Sequence, residues 1–410
     1  MANSHIQTFY EHARAVVGDL QKDGRGWMLM AVSLGWLVSL GVRLVFPTLL
    51  SNIRSEFGMS LSTAGLLLSM LWAAYALMQL PGGIIADRMG ERTALVLSCS
   101  VSIAGIIFVI LAPSIEVLFL AIVLVGVGTG LYGTTRVTVV GTVFQDRGGV
   151  AMGLTQAAGN VGTTLLPTLA GLLAVAVGWR WGLGSILPFF ILALTSLWIT
   201  LPQTTATTTR GDSERSWDDL RPFLNSLRHR PLIIVNISMA LNAFVYQSFT
   251  SFYPTYLVVR KGLHSGTAAT LLGLFFASGI VIQPVAGIVS DRLGTRVTLA
   301  GVFGGTVAVL AVLPFVSGLW TLVLITVPAA LLLAVWPITN SYVVSVVPGE
   351  SNKGAIVGTT RFAYLLFGAT GPIAVGIIAE AGSFDRAFLL LAGIALVASV
   401  TSLFLSSPSS

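Results

Sequence analysis

Apolar residues run along this chain in long blocks, with no strand-like alternation to compete with them. A helix needs about 20 such residues to cross a bilayer. By that measure, spans are predicted near 27–50, 62–86, 93–112, 117–144, 150–177 and 182–201. Six more follow near 231–258, 266–290, 297–317, 320–346, 354–379 and 386–406. The one substantial hydrophilic stretch, 202–230, divides them six and six, and a polar arm, 1–26, precedes the first.

The two halves repeat one another. Gly83-Ile-Ile-Ala-Asp87-Arg88-Met-Gly90-Glu91-Arg92 returns as Gly287-Ile-Val-Ser-Asp291-Arg292-Leu-Gly294-Thr295-Arg296. Gln79 and Gln283 stand four residues before the first glycine of each copy. Pro167 and Gly171 recur as Pro372 and Gly376, and Pro47-Thr48 as Pro254-Thr255. The predicted fold is therefore all-α and integral to the membrane, with twelve transmembrane helices in two pseudo-symmetric six-helix bundles (27–201 and 231–406). Repeats of this kind build secondary transporters, whose central site is exposed alternately to each side.

Composition agrees with that reading. Only 9% of residues are charged, against roughly 25% in soluble domains. The +6 net charge is spread over short loops, so it points to membrane orientation and not to nucleic acid. With both termini cytoplasmic, fourteen of the 22 Lys and Arg fall inside, five outside and three within spans. Both termini are therefore expected in the cytoplasm, in a multi-pass protein of the cell membrane. The single cysteine, Cys99, excludes an internal disulfide framework and a cysteine metal site, and no metal or cofactor is expected. Residues 1–26 lack the apolar core of a signal peptide, so the first span is expected to remain in the mature chain. Neither an HExxH sequence, a nucleophile elbow nor a phosphate loop occurs, so the chain does not read as an enzyme.

The doubled Gly-x-x-x-Asp-Arg-x-Gly-x-Arg motif, the twelve spans and the central linker resemble the major facilitator superfamily over essentially the whole chain. The resemblance implies two bundles, a central cavity, rocker-switch alternation and a monomer. It assigns Gly83, Asp87, Arg88, Gly90, Arg92, Gly287, Asp291, Arg292, Gly294 and Arg296 to an inner gate. Glu91 and Thr295 stand where that family commonly has a basic residue. In physical terms, the glycines permit a tight turn. The aspartates accept hydrogen bonds or face a helix N-terminus, and the arginines reach lipid phosphates or a partner carboxylate.

Inside the spans lie Arg43, Arg136 and Arg361, with every acidic residue in a loop, in the motif or at a span edge. An arginine at a helix centre costs roughly 2.5–3.5 kcal/mol on insertion scales, so such residues usually face a polar cavity. Three fixed positive charges without a carboxylate call for an anionic cargo. The competing reading is that Arg43 and Arg361, each about seven residues from a span end, snorkel to the headgroups. Gln156, Asn160, Tyr246, Gln247, Trp336, Asn340 and Tyr364 are candidates to hold the remaining oxygens of a substrate, against a plain role in helix–helix hydrogen bonding.

Gly-Val-Arg43-Leu-Val-Phe-Pro-Thr and Thr-Thr-Arg136-Val-Thr, with Arg147-Gly-Gly in the next loop, are similar to the organic-anion symporters of the superfamily. That likeness implies that Arg43 and Arg136 bind a carboxylate. Arg361 is similar to a basic residue of the oxalate and formate exchangers. The proton-coupled members carry a carboxylate beside these arginines, whereas Val42 precedes Arg43 here. The expected function is secondary transport of a small organic anion such as a sugar acid. The alternatives are a transporter of the same fold for neutral sugars or drug efflux, and a membrane protein that transports nothing.

Overall fold

The computed structural model describes residues 24–144, 148–203, 230–346, 353–382 and 384–405. Sixteen α-helices and no strand occur among them. The first half contains α1 (Arg25–Phe57), α2 (Leu61–Leu77), α3 (Pro81–Met89), α4 (Glu91–Leu111), α5 (Ile115–Val143), α6 (Gly148–Val177), α7 (Trp179–Gly184) and α8 (Leu187–Thr200). The second contains α9 (Arg230–Val259), α10 (Ser265–Leu293), α11 (Thr295–Val312), α12 (Leu319–Ala329), α13 (Leu331–Val346), α14 (Lys353–Gly368), α15 (Gly371–Glu380) and α16 (Phe384–Ser402). Most of the hydrophilic 202–230 stretch and the 1–23 arm lie outside the described residues.

Eleven helical stretches are long and apolar enough to cross a membrane, and α2 with α3 makes a twelfth span bent by 50°. The bend follows from Pro81, which has no N–H to give the carbonyl of Leu77, and from Gly82 and Gly83 after it. Its counterpart α10 carries Pro284 yet runs unbroken. The predicted spans at 182–201, 320–346 and 354–379 are likewise interrupted, between α7 and α8, α12 and α13, and α14 and α15.

The doubled motif folds the same way twice. Gly90 (φ 82°, ψ 148°) ends α3, and Gly294 (φ 83°, ψ 153°) ends α10. Both have a positive φ that a β-carbon would strain.

The halves meet most extensively along two seams, α2 against α15 and α6 against α10, and the repeated glycines form both. A β-carbon on Gly376 would stand 2.5 Å from the Leu61 carbonyl, and one on Gly171 would collide with Ala269. Gly65 faces the Pro372 carbonyl at 2.5 Å on the same terms. The Ile373 N–H donates to Ser69 Oγ at 3.0 Å, and the Ser62 N–H donates to Glu380 Oε2 at 3.0 Å. These contacts close the end of the molecule opposite the doubled loops. At the loop end, Gly141, Gly153 and Gly358 face open space, with nothing within 4 Å of a β-carbon.

Each half is stapled at the closed end by an ion pair, and the polarity is reversed between them. Arg180 at the start of α7 pairs with Glu56 at the end of α1, where Trp179 Nε1 also donates to Glu56 at 2.5 Å. In the second half, Arg260 just after α9 pairs with Asp385 of α16 at 2.7 Å, and the Tyr256 hydroxyl donates to Asp385 at 3.0 Å.

Candidate functional site

Arg43 is set by a stretch of α1, Gly41 to Leu50, that is buried on every face. Its guanidinium lies 3.7 Å from the Tyr75 ring centroid, 5.3 Å from Trp72 and 6.0 Å from Trp36. Its Nε donates to the Ser39 carbonyl at 3.3 Å, while Nη2 is buried without a partner among the described residues. For Arg43 the snorkelling reading is thereby corrected. The helix runs on to Phe57, so Arg43 lies fourteen residues, or about 21 Å, from its end and is 2% exposed.

Arg136, on α5, stacks over Trp36 at 4.1 Å and donates from Nη1 to Thr155 Oγ1 of α6 at 2.6 Å. Its Nε is buried and has no partner among the described residues, and the same holds for Nε1 of Trp36. Arg361 arrives from the other half on α14 and donates from Nη2 to the Tyr75 hydroxyl at 3.2 Å. It lies within Coulombic reach of both Arg43 and Arg136. The structure thus brings the three sequence-predicted arginines together around Trp36 and Tyr75.

An aromatic chain carries the site across the halves. Trp72 meets Tyr75 at 6.2 Å and Tyr246 at 6.4 Å, Tyr246 meets Trp336 at 5.9 Å, and Trp336 meets Tyr364 at 5.2 Å. The Trp72 Nε1–H donates to Ser251 Oγ of α9 at 3.3 Å. Cation–π contacts can contribute about 2 kcal/mol when desolvated, which helps explain how two buried guanidinium groups are held without carboxylates. Neither ion pair of the closed end includes any of the three arginines.

The other predicted residues divide. Tyr246 and Tyr364 belong to the aromatic chain. Gln247 is buried and donates from Nε2 to the Leu365 carbonyl at 3.3 Å, bracing α9 against α14 near the α14–α15 break. Gln156 is exposed and donates to Asn160 Oδ1 at 3.4 Å, and Asn340 is exposed as well. Neither has a described contact with the arginines. In the motif, Asp87, Arg88, Asp291, Arg292 and Arg296 are exposed, and Gly83 is buried. Arg92 stacks on Trp198 at 4.5 Å, and the Glu91 carboxylate accepts from the Thr142 hydroxyl at 3.0 Å. The acidic residue that replaces the usual base therefore ties the motif loop to the end of α5.

Sequence reasoning missed Trp36, Trp72, Tyr75, Tyr132 and Thr155. One signal was present: Trp36 precedes Arg43 by seven residues, two helical turns on one face. Tyr132 stacks on Trp36 at 6.4 Å and donates to the Val32 carbonyl at 2.9 Å, fixing α5 against α1.

A multi-pass helical protein with basic residues from both halves at its centre has the build of a membrane transporter. The family comparison agrees. The chain belongs to the Major Facilitator Superfamily, whose profile matches residues 31–348 and 262–410. It is 24% identical over 380 residues to the fosmidomycin resistance protein of Escherichia coli (strain K12), covering 91% of each chain. It is 25% identical over 377 residues to the hexuronate transporter of Bacillus subtilis (strain 168), covering 85% of this chain and 86% of that one. It is 24% identical over 387 residues to the oxalate:formate antiporter of Oxalobacter formigenes, covering 90% and 88%. Among solved structures, a point mutant of the nucleoside transporter NupG superposes with a TM-score of 0.78 at 15% identity, over 92% of this chain and 99% of that one. That likeness speaks for the fold alone.

Proposed function

We propose that this protein is a secondary transporter, not an enzyme, that moves a small organic anion across the cell membrane by alternating access. The observation that carries the reading is the central arginine cluster. Arg43, Arg136 and Arg361 converge, and Arg43 Nη2 and Arg136 Nε remain buried donors without partners among the described residues. A buried donor left unmet costs about 1–3 kcal/mol or more, and a carboxylate accepts several such bonds at once. The hexuronate and oxalate:formate relatives handle anions by name, which supports the same class of cargo.

In this reading, Arg43 and Arg136 of the 27–201 bundle hold one anionic group, and Arg361 of the 231–406 bundle closes on it. Tyr246, Gln247, Tyr364, Gln156 and Asn340 are the candidate neutral contacts, the last two on the approach from the loop end. The linker 202–230 joins the bundles, both termini lie in the cytoplasm, and the protein acts as a monomer. The closed end is then the outer one, so the conformation faces inward. Arginine does not deprotonate in proteins, and no carboxylate stands beside it among the described residues, so exchange or facilitated diffusion fits better than proton symport through an acidic side chain.

The test is thermal stabilisation of purified protein by mono- and dicarboxylates, sugar acids, organic phosphates, neutral sugars and lipophilic cations, with Arg136→Gln in parallel. A ligand at 100 times its Kd adds about 2.7 kcal/mol, readily visible as a higher Tm. The expected result is a shift with one anion class that Arg136→Gln removes. A shift with sugars or cations only, unchanged in the variant, overturns the anion reading.

A further inference from the structure

Tyr75 is the residue on which the arginine site and the contact between the halves meet. Its ring carries the Arg43 guanidinium at 3.7 Å, and its hydroxyl accepts from Arg361 of the opposite half at 3.2 Å. It is 2% exposed and stands two residues before α2 ends at Leu77, beside the 50° bend that leads into the motif helix α3. Gln79, inside the bend, donates to the Tyr75 carbonyl at 3.3 Å. One residue therefore touches a basic side chain from each half and the joint of the gating segment.

We infer that Tyr75 is a positioning residue whose phenol stands in for the cargo anion at Arg361. The inference rests on the anion reading only for the identity of what displaces it. With the phenol as acceptor, Arg361 bonds α14 to α2 and holds the two halves in the arrangement that closes the outer seams. A carboxylate is the stronger acceptor for a guanidinium because it is charged and can be bidentate. When it takes Arg361, the phenol is released, and the bond that tied α14 to the end of α2 is gone. Occupancy of the site is thereby read at the bend that leads into α3, which carries Asp87 and Arg88. A carrier latched in this way moves cargo mainly in exchange for cargo, because the return without cargo must break the phenol bond with nothing to replace it.

Tyr75→Phe tests the point, since it keeps the ring under Arg43 and removes the oxygen that Arg361 uses and that also interacts with Arg43. The readout needs no substrate. Ser69 lies 7% exposed in the α2–α15 seam, and the natural Cys99 is fully buried, so Ser69→Cys in full-length protein in proteoliposomes reports opening of the outer seam to a membrane-impermeant maleimide. Hydrogen bonds to charged groups are worth about 1.5–3 kcal/mol, so Tyr75→Phe is expected to raise the labelling rate at least roughly tenfold over the Ser69→Cys parent. Arg361→Gln is expected to give a similar rise, and the two together no more than either alone, because both remove one bond. Labelling of the Tyr75→Phe protein at the parent rate, with Tm unchanged, overturns the latch, as does full additivity of the two variants. Oxalate and glucuronate added to the parent form the second arm, and an increase in labelling is expected. If neither anion changes labelling while Tyr75→Phe still opens the seam, the latch stands and the anion reading fails.

Discussion

Replacing Gly376 by alanine tests the closed seam at the cost of one methyl group. The new β-carbon would lie 2.5 Å from the Leu61 carbonyl oxygen, 3.1 Å from Ser62 Cα and 3.2 Å from Gly65 Cα. All three are backbone atoms, so no rotamer change relieves the clash. Ordinary contact begins near 3.4 Å, so α15 and α2 must part by 0.9 Å at this crossing. The same displacement stretches the 3.0 Å bond between the Ile373 N–H and Ser69 Oγ to 3.9 Å, which is no longer a hydrogen bond. Overpacking a tight contact costs about 1–3 kcal/mol, and the lost neutral bond about 0.5–1.5 kcal/mol. Together they destabilise this conformation by roughly 2–4 kcal/mol, about 30- to 1000-fold in the balance against one with this seam open. The exposed Glu380 contact is left out of that figure. Packing within each half is untouched, so the protein is expected to express and to melt near its usual Tm. The assay is the distance between spin labels at Glu116→Cys and Trp320→Cys, exposed positions at the starts of α5 and α12. A longer main distance is expected in Gly376→Ala. An unchanged distribution in a folded protein would refute the argument that backbone approach at this glycine closes this end of the molecule.

Other expectations follow from the same contacts. Glu56→Arg is expected to lower Tm by setting two arginines together at the α1–α7 staple. Adding Arg180→Glu is expected to recover most of the loss, because the second half already uses the reversed polarity in Arg260–Asp385. A double variant no more stable than the single one refutes the equivalence of the two staples. Asp87→Asn is expected to slow transport turnover severalfold while leaving ligand-induced stabilisation intact, since Asp87 is exposed near the end of α3 and has no described contact with the arginines. Loss of stabilisation in step with turnover would move Asp87 from gating to binding or folding.

Much of this protein was legible before its structure. Span count, the six-plus-six division and the doubled motif follow from local apolar content and from repetition, which are properties of the chain read in one dimension. The three intramembrane arginines also stood out, because an unexplained charge in a lipid-embedded helix is costly wherever it points. Gly171 and Gly376 were visible as a repeated pair, though their purpose was not. Each closes a seam by letting backbone approach another helix, which depends on what lies opposite.

The site itself was decided by tertiary packing. Arg361 and Tyr75 are 286 positions apart, and only the crossing of α14 with α2 puts one on the other. Little along the sequence singles out Trp36, Trp72 and Tyr75, yet folding turns their faces into the support for two guanidinium groups. Gln156 and Asn340 looked as suitable as Tyr246, and helix rotation left them exposed without a described contact to the cluster. Local sequence determines which segments enter the membrane and which charges they carry there, because desolvation acts on each helix separately. Which of those groups meet is a matter of helix crossing and azimuth, set by side chains from both halves at once, and no single stretch of the chain contains that information.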